Sequence, residues 1–102
     1  MKITIGKKEY ELKYTFNSFR YMEEFDVGQL QVIETKPFKI IPMLRILLHG
    51  AVNHNPKQKV SMDNVDAFLE EYSETGDIGD LLEELINLLE ESNFFKSLQR
   101  TK

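Results

Sequence analysis

Residues 42 to 52, PMLRILLHGAV, carry a single charged side chain, that of Arg45. At helical period Met43, Leu44, Ile46, Leu47, Leu48, Ala51 and Val52 leave almost no polar face. A helix of this kind is stable only when other elements cover it on most sides, so the rest of the chain has to build its shell. Pro37 or Pro42 opens the segment. Proline is tolerated in a first helical turn and biases the residue before it, here Ile41, away from helix, so the predicted helix runs over about 42–53. Its apolar run, IIPMLRILL, is broken by Pro42 and Arg45 and falls far short of the roughly 20 residues that cross a bilayer. The segment is therefore predicted to be the centre of a water-exposed protein's core.

The shell is legible on both sides of it. KITI and EYELKY alternate strictly around GKK, which predicts a β-hairpin over 2–14 with Ile3, Ile5, Tyr10, Leu12 and Tyr14 on one face. A lone two-stranded hairpin is marginal in water, so that face has to lie on helices or another strand. Thr15 is a natural N-cap and Gly28 a natural stop for a helix over about 16–26. In that helix Phe19, Tyr21, Met22 and Phe25 oppose Asn17, Arg20, Glu23 and Glu24, a pattern that suits core packing better than base stacking. Residues 29–39 have no helical period and read as an irregular connection or a third strand, with Leu30, Val32 and Thr35 alternating.

After the central helix, NHNPKQK has loop composition. Ser61 caps a predicted helix over 62–73, with Met62, Val65, Phe68, Leu69 and Tyr72 at helical spacing and Asp63 and Asp66 near its N-terminus, where the helix dipole favours them. Asp77 caps the last predicted helix, 78–93. The expected architecture is α+β: an N-terminal hairpin packed on a mainly helical bundle of about four helices, within a single domain over 1–102.

Composition narrows the function. The 102 residues are 41% hydrophobic and 29% charged, the balance of a folded chain. Absence of cysteine excludes disulfides, thiolate zinc sites and cysteine nucleophiles. The N-terminus alternates and lacks the apolar core of a signal peptide, so neither export nor membrane insertion is expected. Net charge is -4, but residues 1–60 hold 10 Lys/Arg against 6 Asp/Glu while residues 61–102 hold 3 against 11. Such opposed halves either solvate outer helix faces or steer association, with a second copy or with a basic partner. Nucleic-acid binding is disfavoured, because the basic residues are spread over many elements.

No constellation for chemistry emerges. His49 and His54 are five apart across a helix end, whereas a metal pair on one helix face needs a spacing of three or four, and no acidic residue stands between Arg45 and Pro56. His49 suits the carboxyl end of a helix and His54 a loop. The pairs Glu23/Glu24, Glu70/Glu71, Glu83/Glu84 and Glu90/Glu91 are sequence neighbours on helices and do not converge as acid and base. Catalytic residues, cofactors and metals are accordingly not expected. The last helix holds the remaining clue: Ile78, Leu81, Leu82, Leu85, Ile86, Leu88 and Leu89 span about 160°, wider than one packing seam requires. Continued in register, Phe94 would emerge among the glutamates, so either the helix stops near Asn93 or a phenylalanine is exposed.

Three stretches together resemble the tail assembly chaperones of long-tailed bacteriophages and of prophages of Gram-positive bacteria. These are MKITIGKKEYELKYTFNSFRYMEE, LLHGAVNHNPKQKVSMDNVDAFLEE and DLLEELINLLEESNFF, similar in pattern and element order over nearly the whole chain. The resemblance implies a non-enzymatic chaperone working in the bacterial host cytoplasm and leaving the mature virion. It implies two partners, the tape measure protein and the major tail tube protein, with self-association permitted and neither nucleic acid nor membrane involved. In many such proteins a ribosomal frameshift adds a second domain. Helix-in-groove recognition of a long helical partner singles out Leu82, Ile86 and Leu89, at one margin of the wide stripe, with Phe94 and Phe95 beyond it. The alternative is a small cytoplasmic adaptor or regulatory protein with no part in tails.

Overall fold

The two N-terminal strands, β1 (Lys2–Ile5) and β2 (Lys8–Glu11), pair antiparallel with Ile3 opposite Tyr10 and Ile5 opposite Lys8. Only Gly6 and Lys7 separate them, and Gly6 adopts φ 65°, the left-handed value that the first position of a type II′ hairpin turn requires. The computed structural model describes residues 1–23 and 40–100, and side chains as far as residue 97. Phe25, Gly28 and the connection over 29–39 lie outside the described residues.

The hairpin is shorter than the alternation suggested, because pairing by strands stops at Glu11. Leu12 and Tyr14 nevertheless keep their inward phase and are buried, while Lys13 between them is exposed. Two backbone bonds carry the chain onward: Leu12 N–H donates to Met1 C=O at 2.8 Å, and Lys13 N–H donates to Ala51 C=O at 3.3 Å. The Tyr14 hydroxyl donates to Leu47 C=O at 2.9 Å in the interior. Burial pushes the ionisation of that phenol well above its ordinary range, since a phenolate there would have lost its water.

Helix α1, described over 16–23, begins with reciprocal capping. Thr15 Oγ1 accepts from Ser18 N–H at 3.3 Å while Ser18 Oγ accepts from Thr15 N–H at 3.0 Å, a capping box with serine in the third position. Ser18 is fully buried, and its hydroxyl donates to Lys13 C=O. The helix crosses the central helix so closely that a Cβ on Gly50 would stand 2.6 Å from Met22 Cγ and 3.1 Å from Ser18 O.

The central helix, α2 (Ile40–Val52), has eight buried residues and packs on the two helices that follow it. It starts two residues before the position expected from Pro42, with Ile41 helical despite the proline after it. The reason is local: Pro42 falls within the first turn, where backbone N–H groups have no helical acceptor to lose.

Helix α3 (Met62–Thr75) carries Ser61 as N-cap, its Oγ accepting from Asn64 N–H, and runs two residues beyond the predicted end. Its Val65 and Leu69 enter the core, and its other contacts reach β1. Helix α4 (Ile78–Glu91) is capped by Asp77, whose Oδ1 accepts from Gly79 and Asp80 N–H at 2.8 and 3.2 Å. It stops two residues earlier than predicted, and a further helix, α5 (Asn93–Arg100), follows that the hydrophobic period alone did not separate. The architecture is α+β, a two-stranded hairpin on a helical bundle with five helices among the described residues.

Candidate protein-binding surface

Ser92 decides the shape of this surface. Its backbone is extended, with φ -68° and ψ 142°, so the helical run breaks there. Its hydroxyl donates to Leu89 C=O at 2.7 Å and accepts from Phe95 N–H at 3.2 Å, closing α4 and opening α5 with one side chain. Of the two sequence readings, the helix stops before Asn93, and α5 begins as a separate helix beyond Ser92.

Phe94 lies against two rings of α1. Its ring lies 4.7 Å from that of Phe19 and 5.8 Å, edge-on, from that of Phe16, all centroid distances. Phe94 and Phe95 are both half-buried, so neither is the free phenylalanine that register along one long helix would give. Among the described residues Phe16 is instead the exposed phenylalanine, at 65%. Sequence reasoning passed over it, although the signal was present: at helical spacing Phe16 lies between Arg20 and Glu23, on the polar side of α1. Asn17, assigned to that polar side, is half-buried and donates from Nδ2 to Asn53 C=O at 2.7 Å.

On α4 only Leu81 and Leu85 are buried. Ile78, Leu82, Ile86, Leu88 and Leu89 pack against the core but keep part of their surface in water. Taking each residue as about 100° of turn, the buried pair marks the inward direction and Leu82 and Ile86 form the margin furthest round from it, with Glu83 and Glu90 next. Both glutamates are exposed. Leu82, Ile86 and Leu89 therefore form a partly covered strip of α4, and the cap at Ser92 joins that helix to the one bearing Phe94 and Phe95.

Two concavities lie elsewhere on the described residues. A groove of 540 Å³ lies between β1 and α3, with Ile5, Tyr10, Phe68 and Tyr72 among its walls. The Phe68 and Tyr72 rings stack at 5.7 Å, and Lys8 Nζ sits 5.3 Å from the Tyr10 ring centre. A smaller hollow of 210 Å³ is walled by Asn17, Arg20, Tyr21, Pro56 and Lys59.

The histidines occupy structural places. His49 is 3% exposed and meets the Tyr21 ring edge-on at 5.3 Å, while its carbonyl accepts from both the backbone N–H and the Nδ2 of Asn53. His54 is half-buried, and its carbonyl accepts from Thr15 Oγ1 at 2.8 Å. The residue between them that matters most is Asn53, fully buried, whose amide donates to His49 C=O and Val60 C=O and accepts from Val60 N–H at 2.8 Å. Among the described residues no three His, Asp or Glu side chains gather in a way that could hold a metal ion. No described helix is long and apolar enough to cross a membrane.

A family model described as phage tail assembly chaperone protein, TAC, matches residues 39–101, well over half of the chain. The chain belongs to the phage tail assembly chaperone family. The match takes in α2 to α5, and with them the Ser92 junction and every residue singled out for partner binding. The hairpin and α1, which the pattern resemblance included, lie ahead of it. No curated protein and no solved structure matches the chain. Membership of this family implies protein partners in tail assembly, and chaperone families are generally non-enzymatic.

Proposed function

We propose that this chaperone binds the tape measure protein, keeps it soluble while the major tail tube protein assembles around it, and is released from the finished tail. The work takes place in the cytoplasm of the bacterial host. Leu82, Ile86 and Leu89 make the contact, with Phe94 and Phe95 forming its far end and Phe16 its exposed aromatic edge. The observation that carries the reading is the partly open apolar margin of α4, which lies within the part of the chain that matches the chaperone family.

The physical case is one of exposed apolar surface. A tape measure protein is long and helical, so its apolar stripes are a solubility hazard until the tube covers them. An apolar helix face of matching length masks such a stripe by the helix-in-groove mode, without covalent change and reversibly. Reversibility favours a margin that is only partly apolar, since a contact as dry as a core would not release. Family membership favours this tail role over an adaptor with none.

The test is co-expression with the tape measure protein encoded nearby. The partner is expected in the soluble fraction and to co-purify with the chaperone, and Leu82→Ser with Ile86→Ser is expected to remove both effects. Insoluble partner with the wild-type chaperone, or full rescue by the double variant, would count against the assignment.

A further inference from the structure

Charge around the α4 margin specifies the partner further, an inference that rests on the chaperone reading of the same site. Between Lys59 and Lys96 the chain contains no Lys or Arg, yet it has 11 Asp and Glu. Among the described residues one of these is engaged by a cation: Asp66 takes a two-pronged bond from Arg45, at 2.7 Å from Nε and 3.2 Å from Nη2. On α4 all five acidic residues, Asp80, Glu83, Glu84, Glu90 and Glu91, are exposed. Glu83 and Glu90 border Leu82 and Ile86 directly on the helical surface, one turn either side of Ile86.

We propose that the α4 margin takes an amphipathic helix of a partner protein whose apolar stripe is flanked by lysine or arginine. The strip of Leu82, Ile86 and Leu89 supplies a non-directional apolar contact that any apolar stripe could satisfy. The exposed glutamates supply the selection. A partner helix with acidic flanks would bring like charges together beside a surface that is losing water, whereas basic flanks meet Glu83 and Glu90 across the rim. Such rim charges raise the encounter rate and set partner choice and orientation, and salt weakens them.

The probes are two synthetic helices of three heptads with the same leucine stripe, one with lysine on both flanks and one with glutamate, titrated against the full chain by fluorescence anisotropy. The lysine peptide is expected to bind about tenfold or more tighter, and added salt should shrink the gap. Exchanging both rim charges, Glu83→Lys with Glu90→Lys, should reverse the order of the two peptides. These side chains are exposed, so the variant is expected to fold, and a far-ultraviolet circular dichroism spectrum checks that.

Equal binding of the two peptides, or a preference unchanged by the charge exchange, would overturn the inference. Leu82→Ser with Ile86→Ser then separates the two levels. If both peptides bind equally and both lose affinity in this variant, the face stands as the binding site and only its charge selectivity fails. If they bind a folded double variant as they bind wild type, the assignment of the site to this face fails as well.

Discussion

Two buried polar side chains bear much of the tertiary precision. Asn53 fixes the turn after α2 with three side-chain bonds, to His49 and Val60, and no buried side-chain N or O among the described residues lacks a partner. Asn53→Ala leaves Val60 N–H and two carbonyls without those bonds in a dry place, and should cost about 2–3 kcal/mol in denaturant unfolding. Asn53→Asp is similar in shape but cannot donate when ionised, so at neutral pH it should be at least as damaging as alanine. Tyr14→Phe removes only the bond to Leu47 C=O and should cost about 1 kcal/mol at neutral pH. Its pH profile is more telling. The phenol ionises harder in the folded chain than in the unfolded one, so wild-type stability is intact below the unfolded value of 10.0 and falls as pH rises beyond it. The phenylalanine variant lacks that component, and the stability difference between the two proteins should narrow in alkali.

At the scale of elements, the α4–α5 junction is the informative one. Ser92→Ala deletes a bond at each helix end, so amide exchange in α5 should speed up with a stability loss of about 1 kcal/mol. Phe94 and Phe16 should separate cleanly. Phe94 contacts Phe19, which packs against the core, so Phe94→Ser should lower stability by about 1–2 kcal/mol, in contrast to the second of the two sequence readings, an exposed phenylalanine. Phe16→Ser, at a site 65% exposed, should leave the unfolding midpoint within experimental error while weakening tape measure capture in the co-expression assay. Capture unaffected by Phe16→Ser would remove that ring from the contact surface.

Across the whole molecule, the family match and the core do not share a boundary. Residues 39–101 match the family, yet Leu12, Tyr14, Ser18 and Met22 ahead of them are buried, and α2 meets this segment through Leu47 C=O to Tyr14, Gly50 beside Met22 and Ser18, and Ala51 C=O to Lys13 N–H. Burying each of the three large side chains is worth about 1.5–3 kcal/mol, a sum comparable with the about 5–15 kcal/mol that holds a typical domain together. A fragment of residues 39–102 should therefore show no cooperative thermal transition by circular dichroism, whereas the full chain should. The opposed charges of the two halves meet within the chain at Arg45 and Asp66, but that pair is about 40% exposed and gives orientation more than stability.

The sequence by itself determined the hairpin's inward face, the caps at Thr15, Ser61 and Asp77, and the burial of α2. Each is set by local physics: the two-residue period of a strand, the unpaired N–H groups of a helix end, and apolar surface too wide to leave in water. The margin of α4 was legible for the same reason, since Leu82 and Ile86 exceed what one seam covers. Only the tertiary structure decided how α1 sits on α2, because that depends on the missing Cβ of Gly50 meeting Met22 from a distant segment. It also decided the fate of the aromatics. Ser92 can cap a helix or ride inside one, and Phe94 can face water or Phe19; the choice is made where α5 finds α1, among residues more than 70 positions apart in the chain.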